Sequence, residues 1–211
     1  LTLAGNNTFT GALNIVSGSV TTLNSNALGN TSGVNISAGA GLNLGSDASL
    51  GALTGSGSVQ LTGSNTLTVG SGNVTSTFDG DLSGSGGLVK VGTGTLNLTG
   101  INGITGNTAI NGGTVNLSGS LASAQLNVNT GGTLTGTGSA LGSVNINNGG
   151  HLALSSGNTL SASSLTLGAG SNVDVALGTP STASLMNVGG NLTLDGNLNV
   201  TDAGGFGVGV Y

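Results

Sequence analysis

Few residues in this chain have the types and spacing to do chemistry, and the first candidates are two carboxylates. Asp79-Gly80-Asp81-Leu82-Ser83-Gly84 has the D-x-D-x-S-G opening of a twelve-residue calcium loop. Such a loop closes on a bidentate Glu at its twelfth position. Here that position is Lys90, whose ammonium would repel the ion. Asp79 and Asp81 are thus weak calcium candidates against the simpler reading of a solvated Gly-rich turn, and no cofactor is expected. The calcium motif Gly-Gly-x-Gly-x-Asp is also missing, because Gly204–Gly209 supplies glycines without an Asp.

The same two carboxylates could approach the separation of about 5–9.5 Å that acid and base need in glycoside hydrolysis. They lie in Gly-rich sequence with no aromatic sugar platform nearby; the aromatics are Phe9, Phe78, Phe206 and Tyr211. A polysaccharide lyase needs a cation beside the uronate, but there is no Arg and Lys90 is the single Lys. His151 is the only histidine, and no nucleophile stands out among the many Ser and Thr. With no Cys there is neither a thiol nucleophile nor a disulfide. An enzyme is not expected.

Composition narrows the partners. Six Asp against Lys90 give a net charge of -5, and charged residues are only 3% of the chain against roughly 25% in an ordinary domain. Such a surface has no electrostatic grip on phosphate, so nucleic acid is excluded as a partner. Leu, Ile, Val and Phe make up about 27% of the residues, above the roughly 20% below which disorder is expected. No run of about 18 apolar residues is present, so no membrane insertion by a helix of this segment is expected.

The elements that carry these residues repeat. An apolar–polar–apolar triplet, a Gly-bearing turn and a second triplet recur as Val34-Asn35-Ile36 to Leu42-Asn43-Leu44 and as Val59-Gln60-Leu61 to Leu67-Thr68-Val69. The phrase returns at Leu126-Asn127-Val128 and at Val144-Asn145-Ile146. A period near 20 with strand-type alternation and Gly punctuation predicts an all-β parallel β-solenoid. Nine or ten coils at the ~4.8 Å strand spacing give a rod about 45 Å long.

Alternation turns the middle residue of each triplet outward and stacks it over its equivalent in the next coil. Asn35, Asn43, Asn97, Asn116, Asn127 and Asn145, with Thr166 and Thr193, are therefore predicted to form hydrogen-bonded ladders along the rod. The phrases at Val144 and Leu165 align with Ala153 opposite Asp174 and His151 opposite Asn172. A surface contact between His151 and Asp174 follows, diagonal across neighbouring strands.

One domain, 1-211, is expected, with irregular loops near 73-87 and 177-184, the latter holding the only Pro, Pro180. The tail 204-211 keeps a faint alternation. Both ends read as cut from a longer solenoid, because neither offers a cap for its open strand edges.

The stretch Gly86-Gly87-Leu88-Val89-Lys90-Val91-Gly92-Thr93-Gly94-Thr95-Leu96-Asn97-Leu98 continues to Gly112-Gly113-Thr114-Val115-Asn116-Leu117. Together these closely resemble the autotransporter-associated β-strand repeat over about 32 residues. Leu1–Gly11 looks like the middle of another copy. The Lys90 phrase appears clearly once, so the other coils are degenerate. The resemblance implies a right-handed parallel β-helix, the passenger of a Gram-negative autotransporter or adhesin, at the outer-membrane surface or secreted. Family members commonly mediate adhesion, self-aggregation or biofilm formation.

The expected function is thus structural and adhesive, through homotypic contact: neutral Asn/Thr faces meet without repulsion, or end strands continue into another copy as filaments. Host or matrix surface ligands are further candidate partners. A passive stalk that displays other domains is the alternative, and a polysaccharide-acting enzyme the remote one.

Overall fold

The computed structural model describes residues 1–205, 207 and 208. The fold is all-β, a parallel β-solenoid of about nine turns, with no helix among the described residues. Part of the alternation expected in the tail, at 206 and 209–211, lies outside the described residues.

The turns build three faces. Face I is a ten-stranded parallel sheet from Leu13–Ile15 through Gly113–Leu117, Gly132–Gly136, His151–Ser155 and Asn172–Leu177 to Asn197–Asp202. Face II begins at Thr2–Leu3 and continues through Ser19–Thr22, Gly41–Leu44, Ser58–Leu61, Asp81–Gly84 and Ile101–Ile104. Face III holds Ala48–Leu50, Thr66–Val69, Gly87–Lys90, Thr108–Ile110 and Gln125–Val128. Faces II and III join where Ser139–Ile146 and Leu160–Leu167 run continuously round the corner, with a register irregularity between Ala140 and Ser143. Neighbouring coils are offset by as little as 17 residues, Leu42 beside Val59, and as much as 27, Leu165 beside Leu192.

Parallel pairing in register stacks like residues. One inward column on face III runs Leu50, Val69, Lys90, Ile110, Val128, Ile146 and Leu167. A column on face II runs Val20, Leu42, Val59, Leu82, Asn102 and Leu121. Most members are fully buried apolar residues, each contributing about 1.5–3 kcal/mol by leaving water. Among the described residues nothing covers the outer side of the coil that carries Leu194, Leu198 and Val200, and Leu198 is 68% exposed.

The expected loop at 73-87 is a correction. Two strands, Ser76–Phe78 and Asp81–Gly84, occupy most of it, and Gly87 opens a third. Only Phe78 and Leu82 point inward as large residues there, so the alternation is too thin to read among Gly and Ser. Gly80 turns the corner between these strands, where an added Cβ would strike the Gly57 carbonyl. Residues 178–185 carry no strand and take up the longest offset.

Candidate functional site

The two acidic candidates flank that corner. Asp79 Oδ1 accepts from the Thr99 hydroxyl at 2.5 Å, and Asp81 Oδ1 accepts from the Ile101 amide at 3.2 Å. Each carboxylate thus ties its turn to the next coil. No group of three or more His, Asp, Glu or Cys able to hold a metal occurs among the described residues.

Lys90, the twelfth position, faces inward and is 1% exposed. Its Nζ donates to the Val91 carbonyl at 2.7 Å, to Gly112 at 3.2 Å and to Gly92 at 3.4 Å. Glycines vacate the space around it. A Cβ at Gly113 would lie 2.9 Å from Nζ and one at Gly70 3.1 Å, and Gly92 and Gly113 take φ of 69° and 62°. Burial pushes the ammonium pKa below its ordinary 10.5. The charge is held by carbonyl dipoles alone, since the one ion pair among the described residues is His151–Asp174.

Asn102 is the second inward polar residue, 0% exposed. Its Nδ2 donates to the Gly100 and Ser120 carbonyls, both at 3.1 Å, and its Oδ1 accepts from the Leu82 amide at 3.4 Å. Three successive coils are thereby pinned at one point. Its neighbour Ile101 is turned outward, 74% exposed.

The predicted ladder residues divide among the faces. On face I, Asn116 Nδ2 donates to Asn97 Oδ1 at 3.0 Å, and Asn97 donates to the Thr77 hydroxyl at 3.0 Å. Asn35 accepts from Thr54 at 3.2 Å. On face III, Asn145 donates to Asn127 at 2.9 Å, with Thr166 and Thr193 next in register. Asn43 stands on face II and donates to Thr21 at 3.4 Å. The rows are interrupted by Ala109 on face III and, beyond Thr135, by Ala153 on face I. A ladder absent from the sequence-based set, Asn147 to Asn129 to Asn111 with both bonds at 2.7 Å, follows the strand exits of face III. Its signal is the Asn that closes Ala109-Ile110-Asn111, Asn127-Val128-Asn129 and Asn145-Ile146-Asn147.

Compared with protein-family models, with curated proteins and with solved structures, the chain matches none.

His151 and Asp174 meet as expected, with Nδ1 and Oδ2 2.6 Å apart, and Ala153 pairs with Asp174 as the alignment requires. Asn199 Nδ2 donates to the other carboxylate oxygen at 2.8 Å. Partial burial raises the Asp174 pKa, but hydrogen bonds from Asn199 and His151 and the imidazole's charge outweigh it and hold it below 3.8. Beside this pair face I sinks at Ala153, the smallest side chain of its row. Two adjoining depressions of about 430 and 280 Å³ share Thr135, Ala153 and Ser155.

Proposed function

We propose that this solenoid is a non-enzymatic structural and adhesive segment of a bacterial surface or secreted protein, acting through homotypic contact. The observation that carries the reading is the chemistry of its outer faces. Rows of Asn and Thr present amides and hydroxyls, while the one lysine is taken into the core. Two such faces approach without like-charge repulsion between basic or acidic arrays, and the amide hydrogens and lone pairs not used within the ladders can be shared across the contact. Contacts of this kind are broad and individually weak. End-to-end continuation of the solenoid into a second copy is the other homotypic mode. The likeness of the Lys90 phrase to the autotransporter-associated repeat supports a place at the outer-membrane surface, with aggregation or biofilm formation as the biological outcome.

The test is sedimentation velocity of the purified chain over a wide concentration range, with electron microscopy of the same samples. Concentration-dependent growth into uniform fibres or lateral bundles is expected. A monomer at every concentration would overturn homotypic contact and leave the passive stalk.

A further inference from the structure

Beyond self-association, we infer that the groove at Ala153 on face I is a binding site for a neutral oligosaccharide. The larger depression, about 430 Å³, falls in the size range of small-molecule sites. Its lining includes Thr95, Thr114, Asn116, Ser118, Thr135 and Thr137. Among the described residues the hydroxyls of Thr95, Thr114, Ser118 and Thr137 have no hydrogen-bond partner, so their donors and acceptors are open to a ligand in the groove. Asn116, the end of the ladder from Thr77 through Asn97, lines the same depression, as does Thr135, whose hydroxyl donates to the Ala153 carbonyl at 2.9 Å.

One wall is fixed in place. Asn158 lines the depression from the turn after His151–Ser155, where its Nδ2 donates to the Ser155 hydroxyl at 2.9 Å and its amide to the Ser155 carbonyl at 3.2 Å. A wall already ordered does not have to be immobilised by a ligand. The smaller depression adds apolar surface from Leu154, Val175 and Ala176 beside Asp174 and Asn199. Hydroxyl-matching groups on one side and a modest apolar patch on the other suit a pyranose ring, which presents hydroxyls at its rim and C–H groups on its face.

Charge decides against the other polar ligands. A phosphate, sulfate or uronate would find no lysine or arginine, because Lys90 lies inside the core, and Asp174 would repel it. The rungs repeat at the ~4.8 Å strand spacing, comparable with one sugar unit of an extended chain. The groove therefore accepts an oligosaccharide laid along the rod axis.

The test is amide-resolved NMR of the full chain titrated with cellotetraose, maltotetraose and chitotetraose, each a neutral probe, and with a heparin tetrasaccharide as the anionic one. At least one neutral probe is expected to shift residues 114–118, 133–137 and 153–155 saturably, with a midpoint in roughly the millimolar range. Ala153→Tyr fills the depression and should weaken that binding at least about tenfold, whereas Ala109→Tyr, outward on face III, should leave it unchanged. Circular dichroism of both variants checks the fold. Shifts produced equally by sorbitol, a response to heparin alone, insensitivity to Ala153→Tyr, or no response to any neutral probe would each overturn the proposal. Sedimentation of the Ala153→Tyr variant keeps the outcome separate from homotypic contact.

Discussion

Replacing Lys90 separates the worth of its stem from that of its ammonium. Lys90→Ala removes three buried methylenes, and at about 0.8 kcal/mol each the stem accounts for about 2.4 kcal/mol. It also strips the donor from the Val91 and Gly112 carbonyls, bonded at 2.7 and 3.2 Å. Both residues are half-buried, so water partly replaces the donor and the loss is about 1 kcal/mol per carbonyl. Lys90→Ala should then destabilise the rod by about 4 kcal/mol. Lys90→Met keeps the stem and also relieves the cost of a desolvated charge without a counter-ion, so its net loss should be about 1 kcal/mol or less. Guanidinium unfolding followed by circular dichroism measures both, and hydrogen exchange at Val69 and Ile110 reports locally, because coils depend chiefly on their neighbours. Equal losses for the Ala and Met variants, or none for either, would refute the reasoning. A pH series adds a signed check. Burial lowers the folded-state pKa, so between that value and 10.5 the unfolded chain binds more protons and stability rises with pH. In Lys90→Met this rise should vanish.

Other expectations follow from the same contacts. Asp174 has a depressed folded-state pKa, so its contribution is present above its unfolded value near 3.8 and is lost as pH falls through the folded one; Asp174→Asn should remove that acid-limb dependence. The His151–Asp174 pair is exposed by more than a third on each side, so at neutral pH Asp174→Asn should cost no more than about 1 kcal/mol by thermal melting. Asn102→Ala should cost about 2–4 kcal/mol, since it takes a partner from the buried Leu82 amide and from two half-buried carbonyls. Leu152→Asp should unfold or fray the rod, because it sets a charge in an apolar column, while Asn145→Asp should be much milder. If those two variants melt alike, the inward–outward assignment is wrong.

The coils were legible wherever one triplet states the alternation cleanly. Val34-Asn35-Ile36 and Val144-Asn145-Ile146 are buried–outward–buried, and the His151–Asp174 contact follows from the alignment of the phrases at Val144 and Leu165. Legibility failed where an inward position is polar. In the sequence Lys90 is a charge in a repeat phrase, yet its column is apolar above and below. Its inward turn is visible only through the glycines that leave room for it. Ile101-Asn102 inverts the rule, because a satisfied Asn inside pins three coils and leaves the Ile outside. The strands at 76–78 and 81–84 were hidden for a different reason: Gly and Ser fill their neighbouring positions, and parallel pairing with flanking coils, rather than local propensity, makes them strands. The Ala153 groove depends on which residues lie opposite one another on successive coils, and a short side chain carries no such message alone.

The central claim is that neutral faces let copies of this rod associate, and charge placed on those faces tests it most directly. Asn35→Asp and Thr166→Asp together add two carboxylates at exposed positions on faces I and III. Each new like-charge contact at about 4 Å costs about 1 kcal/mol in a watery interface, roughly a fivefold loss of association. Sedimentation velocity at low salt should show the double variant dissociated where the parent chain is assembled, and salt should restore it by screening. Identical sedimentation of the two proteins at every salt concentration would contradict association through these faces.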